Sequence, residues 1–99
     1  MAERRVSPRV ELSVTCTLRR RSGTAIAAQT LDLGPGGMSV TTARPLATDE
    51  VLHFDLPLPP GDVVDGRARV LREQAYGVYA LRFEALREPV RARLAGVAA

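Results

Sequence analysis

With 99 residues, a formal charge of +3, 45% apolar and only 4% aromatic residues, the chain is sized for one domain whose core is built mainly from Val, Leu and Ala. No apolar run nears the ~18–20 residues of a membrane span, and Met1-Ala2-Glu3-Arg4-Arg5 leads into no apolar signal segment, so a cytoplasmic protein is expected. The lone cysteine, Cys16, excludes an internal disulfide and a cysteine-based zinc site, and the basic balance rests wholly on arginine, which fits scattered surface charge as well as a polyanionic partner.

Residues 1–9 are polar and basic, and Pro8 pushes Ser7 toward extended geometry, so they read as a flexible, arginine-rich lead-in. Val10, Leu12, Val14, Cys16 and Leu18 then alternate with Glu11, Ser13, Thr15 and Thr17, which predicts a half-buried first strand. Arg19 to Gly23 reads as a solvated hairpin tip. Thr24 to Leu33 is a second strand, stopped by the turn Asp32-Leu33-Gly34-Pro35-Gly36-Gly37. Met38, Val40 and Thr42 share one face of a third strand. Val51 to Leu58, Val63 to Glu73 and Ala75 to Glu84 complete a set of six. From Leu86 the spacing changes to three and four, through Val90, Leu94 and Val97, which predicts a short amphipathic helix over 86–96. Short strands with frequent turns suggest a sandwich or a barrel, and closure would remove exposed edges. The expectation is all-β: a small six-stranded antiparallel β-barrel over 10–84 with a C-terminal α-helix, residues 1–99 forming a single domain.

Catalytic chemistry finds little purchase. His53 is the one histidine and sits inside a predicted strand without an adjacent nucleophile. Cys16 lies on an apolar face, where burial raises a thiol pKa. Asp49 and Glu50 flank a loop, Asp62 and Asp65 bracket a turn, and neither pair is expected to have a companion base, metal ligand or phosphate loop. The glycine turn lacks the Lys and Ser/Thr of a nucleotide-hydrolase loop. The expectation is no enzyme, no catalytic residue and no metal site.

Two constellations remain. Arg5-Val6-Ser7-Pro8-Arg9 sets two guanidinium forks on one segment, and such forks suit phosphate oxygens or guanine O6/N7. With 14 arginines, roughly two R-x-x-x-R spacings arise by chance, and Arg87 to Arg91 is a second. In the turn, Asp32 could accept from the N–H groups of a guanine edge, or simply cap a hairpin. The glycines permit close backbone approach and positive φ.

The order of these features resembles the PilZ domain, a bacterial receptor for cyclic di-GMP. That family shows R-x-x-x-R before the first strand and (D/N)-x-S-x-x-G between the second and third. Here they correspond to Arg5 and Arg9, and to Asp32-x-Gly34-x-x-Gly37. Gly36-Gly37-Met38-Ser39-Val40 and Tyr76-Gly77-Val78-Tyr79-Ala80-Leu81-Arg82-Phe83 also match, and the resemblance runs from Arg4 to about Leu94.

The resemblance implies that Arg5 and Arg9 hold phosphates and guanines, that Asp32 takes a guanine edge, and that Gly37 permits a tight turn. Arg4 would stand where an arginine goes with binding an intercalated dinucleotide dimer. Gly34 departs from the family's Ser and removes a hydroxyl worth about 0.5–1.5 kcal/mol, or up to roughly tenfold in affinity. Cyclic di-GMP would be a ligand, with no cofactor, and motility or biofilm regulation would be the setting. The implied function is a cyclic di-GMP receptor that signals in trans to an unidentified protein partner. The alternative is a degenerate adaptor that binds no nucleotide and acts by protein contacts alone. A single-stranded nucleic-acid binder would need exposed aromatics. Phe54, Tyr76, Tyr79 and Phe83 all fall in predicted strands, so neither DNA nor RNA is expected, and no membrane.

Overall fold

A computed structural model describes residues 9–58 and 61–98. Seven strands are followed by one helix: β1 (Val10–Glu11), β2 (Thr15–Arg19), β3 (Ala25–Leu33), β4 (Gly37–Thr41), β5 (Val51–Leu58), β6 (Asp62–Ala75), β7 (Val78–Glu84) and α1 (Glu88–Ala98). Every pairing is antiparallel. The order β3-β2-β5-β6-β7-β4 closes on itself through the β3–β4 pairing, which makes a six-stranded barrel with β1 as an added outside strand. The expected all-β barrel with a C-terminal helix is therefore the observed architecture.

The period-two pattern gives the barrel its inside. Cys16 and Leu18, Ile26 and Ala28, Met38 and Val40, Leu52 through Leu58 at even positions, Val64, Ala68 and Val70, and Tyr79, Leu81 and Phe83 are all buried. Phe54 and Phe83 pack with ring centroids 4.9 Å apart and tilted by 35°, a favourable geometry for an aromatic pair. Helix α1 lies on β3 and β6, sinking Val90 and Leu94 into the core, while its Arg93 meets Asp62 at 3.0 Å.

Three boundaries differ from the sequence reading. The first strand breaks into β1 and β2. Val10 and Glu11 pair with Leu33 and Asp32, but Thr15 pairs with Gln29, so Leu12, Ser13 and Val14 oppose two residues of β3. Such an extra residue is a β-bulge. Thr30, fully buried, fills the gap: its Oγ1 accepts from Val14 N–H at 2.9 Å and donates to the Leu12 carbonyl at 2.5 Å. Inward alternation survives the break, so it left no trace in the hydrophobic pattern. Secondly, β6 runs to Ala75 and the last strand starts at Val78, because the reversal uses Tyr76 and Gly77, the latter at φ 73°. Thirdly, the helix begins at Glu88, two residues later than expected, leaving Leu86 to pack against the core from the connection. The lead-in expected over residues 1–9 lies outside the described residues except for Arg9.

Candidate functional site

Arg9 immediately precedes β1, and that short strand fixes where its side chain can reach. Arg9 Nε donates to Asp32 Oδ1 at 3.1 Å, and its terminal nitrogen Nη2 donates to the same oxygen. Both side chains are partly buried, 23% and 29% exposed. Among the described residues no donor reaches Asp32 Oδ2. The two residues are 23 positions apart in the chain.

Asp32 lies in β3 itself, not in the turn that follows. On β3 the even positions Ile26, Ala28 and Thr30 point inward. Continued alternation would bury Asp32, and an isolated carboxylate there would be costly. The β3–β4 register slips between Thr30 and Asp32, leaving Leu31 as an extra residue, 41% exposed. This bulge turns Asp32 to the outer face and Leu33 to the inner one.

The glycine turn makes its own close contacts. Gly34 N–H donates to Gly37 O at 3.0 Å, and Phe83 N–H donates to Gly36 O at 3.0 Å. A Cβ at Gly37 would land on the Leu81 carbonyl oxygen of β7. Gly37 is thus required by strand-to-strand approach. Among the described residues the positive-φ glycines are Gly23 and Gly77, so the positive φ expected of the turn glycines is not what Gly34 or Gly37 supplies.

Register carries the site further. Asp32 pairs with Ser39, Ser39 with Ala80, and Ala80 with Arg72. One lateral row, Asp32–Ser39–Ala80–Arg72, therefore crosses β3, β4, β7 and β6. Arg72 follows a second bulge, at Leu71, where the β6–β7 register slips between Val70 and Arg72. Gln74 stands at another slip and accepts the Ser39 hydroxyl on its Oε1 at 3.1 Å. Arg9, Asp32, Ser39, Arg72 and Gln74 line a cleft of about 190 Å³, with Ala80 and Leu81 beneath. Ser39 is only 6% exposed and Arg72 is exposed. Among the described residues Arg72 has no ion-pair partner.

Of the residues the sequence singled out, the structure joins Arg9 to Asp32 and sets the glycine turn beside them. Arg4 and Arg5 lie outside the described residues. Ser39, Arg72 and Gln74 were missed. One signal could have flagged two of the charged positions: Leu31-Asp32 and Leu71-Arg72 each put an apolar residue on the polar parity and a charge on the core parity.

The other candidates lie away from this cleft. Cys16 is buried in the core, and burial pushes its thiol up to about 11, so the nucleophilic thiolate is suppressed. Asp65 does not bracket a turn. It stands within β6, directly across from Asp55, a repulsive like-charge pair on its own. Arg19 at 3.3 Å from Asp55 offsets it, and His53 Nε2 lies 3.3 Å from Asp65. Of the tip arginines, Arg20 grips Glu50 at 2.7 Å and the Pro45 carbonyl at 2.6 Å, and this hydrogen bond holds the Glu50 carboxyl below the usual range.

The PilZ domain family model matches residues 3–98. No curated protein matches the chain in sequence. Among solved structures, the chain is similar to the Bacillus subtilis inhibitor of motility MotI/DgrA, with TM-score 0.84 and 15% identity over 98% of this chain and 50% of that one. It thus spans half the length of that protein. It is also similar to the PilZ domain of YcgR from Escherichia coli, solved with c-di-GMP, with TM-score 0.81 and 15% identity over 97% of this chain and 89% of the other. The PilZ domain of CeSA from a cellulose-synthesizing bacterium follows at TM-score 0.72 and 16% identity, covering 91% and 93%. At these identities the likeness is one of fold.

Proposed function

Since the chain belongs to the PilZ domain family, we propose that it is a cytoplasmic receptor for cyclic di-GMP that carries no catalysis and signals in trans to a protein partner, in the regulation of motility or biofilm formation. One observation supports this most: Arg9 and Asp32, drawn from two separate sequence motifs, meet side by side at one cleft. The similar YcgR domain was solved with c-di-GMP.

In this reading Arg5 and Arg9 bind phosphate oxygens or guanine edges through charge-assisted forks. Asp32 accepts from a guanine edge through its Oδ2. Gly37 lets β4 close against β7 so that the turn stands near the ligand. Arg4 contributes where two stacked dinucleotides bind together. The adaptor reading, without nucleotide, draws on Gly34, which offers no hydroxyl, and on an Arg9–Asp32 pair that engages both side chains with each other.

Calorimetric titration with cyclic di-GMP, with linear GMP dinucleotide as control, decides between the two. Binding by the parent is expected, with severe losses in Arg5→Ala and Arg9→Ala and no change in Arg87→Ala, whose spacing match is accidental. Equal losses at Arg87 and Arg5 would mean that bulk charge does the binding. No binding by the parent would leave the adaptor.

A further inference from the structure

The row Asp32–Ser39–Ala80–Arg72 is built by two matching irregularities. In β3, Thr30 is buried, Leu31 is 41% exposed, and Asp32 then turns outward. In β6, Val70 is buried, Leu71 is 38% exposed, and Arg72 then turns outward. Without either bulge the charge would continue on the core parity. Two strands that do not touch each other thus spend one residue each to aim opposite charges into the same cleft. Between them the row carries only small side chains, Ser39 and Ala80. Three strand spacings separate Asp32 from Arg72, about 14 Å measured along the sheet. That leaves a small-residue floor with a carboxylate at one rim and a guanidinium fork at the other.

On the strength of the receptor reading above, we infer that Arg72 is a specificity-determining residue that reads the O6/N7 edge of the guanine whose N–H edge is taken by Asp32. Guanine offers N1–H and N2–H₂ donors on one side and the O6 and N7 acceptors on another, and Arg is matched to the latter pair. Adenine inverts the pattern at C6 and N1, so it meets a donor with a donor at Arg72 and an acceptor with an acceptor at Asp32. The Ser39 hydroxyl is committed to Gln74 Oε1, which fixes the Gln74 amide at the rim and leaves its N–H₂ beside the base. The described residues bring no aromatic ring to line this cleft. The Arg72 guanidinium plane can serve for stacking as well as for edge recognition.

The test is calorimetry on the full chain with cyclic di-GMP and cyclic di-AMP, using the parent, Arg72→Ala, Arg72→Lys and Ala80→Leu. Melting temperatures serve as fold controls. Arg72 and Ala80 face outward, so all variants are expected to melt near the parent. Arg72→Ala should weaken cyclic di-GMP binding roughly ten- to hundredfold, the worth of a bidentate base contact, and should narrow the preference over cyclic di-AMP. Arg72→Lys keeps the charge without the fork and should stay closer to the alanine variant than to the parent. Ala80→Leu raises the floor and should block the dinucleotide. Parent-like affinity and selectivity in Arg72→Ala, or full recovery in Arg72→Lys, would overturn the inference while the receptor reading stands. No binding by the parent would instead bring down the receptor reading, and the inference with it.

Discussion

At the scale of single residues, Gly34 concentrates the functional question. It stands where the PilZ pattern has Ser, and its N–H is engaged with Gly37 O at 3.0 Å. A serine is strained at positive φ, and among the described residues the glycines there are Gly23 and Gly77. The backbone at 34 therefore has a conformation open to an L residue, consistent with the extended geometry that the following Pro35 favours. Gly34→Ser should tighten cyclic di-GMP by up to about tenfold, one hydroxyl bond, at an unchanged melting temperature. Paired measurement of Kd and Tm checks this. A lower Tm would show that the buried turn has no room for the hydroxymethyl group, and an unchanged Tm without binding in either protein would favour the adaptor. Gly37 is the opposite case, since any Cβ there collides with the backbone of β7.

At the scale of elements, the bulges do the positioning. The break between β1 and β2 holds because Thr30 Oγ1 satisfies both the Val14 N–H and the Leu12 carbonyl. A buried backbone group left unpaired costs about 1–3 kcal/mol. In a domain of this size each kcal/mol lowers Tm by roughly 4–8 °C. Thr30→Val should accordingly drop Tm by at least about 5 °C. Thr30→Ser, which keeps the hydroxyl and loses one methyl, should fall less. Equal losses in the two variants would show that the methyl, not the hydroxyl, secures the gap. The element boundaries were legible only where turn residues marked them. The tip at Gly23 and the stop at Gly34 to Gly37 stood out. The break at Leu12 to Val14 did not, because an extra residue that preserves inward parity is silent in a period-two pattern.

At the scale of the whole molecule, the β3–β4 pairing closes the six strands into a barrel, with β1 added outside it. Helix α1 then completes the core instead of decorating it. Leu94 is fully buried, and truncating such a leucine typically costs 2–5 kcal/mol through lost contacts and a residual cavity. Leu94→Ala should lower the urea midpoint of a single cooperative transition. A biphasic curve, with the barrel melting at the parental midpoint, would show instead that the helix is a separable cover.

What the sequence determined by itself is which way side chains face. Alternation from Val10 to Glu84, followed by a three-to-four spacing, is a local property, and it was enough for the β class, the core residues and the terminal helix. Arg9 and Asp32, singled out by motif spacing and the PilZ resemblance, are two of the residues that line the cleft. Only the tertiary structure decided the rest. Arg72 falls on the row of Asp32 through three successive strand pairings, and each register is a choice between distant segments that no local period encodes. The two bulges that aim those charges outward leave only a slip of parity at Leu31 and Leu71 in the sequence. That slip becomes a cleft because the barrel closes and brings β3 and β6 to face it from opposite sides.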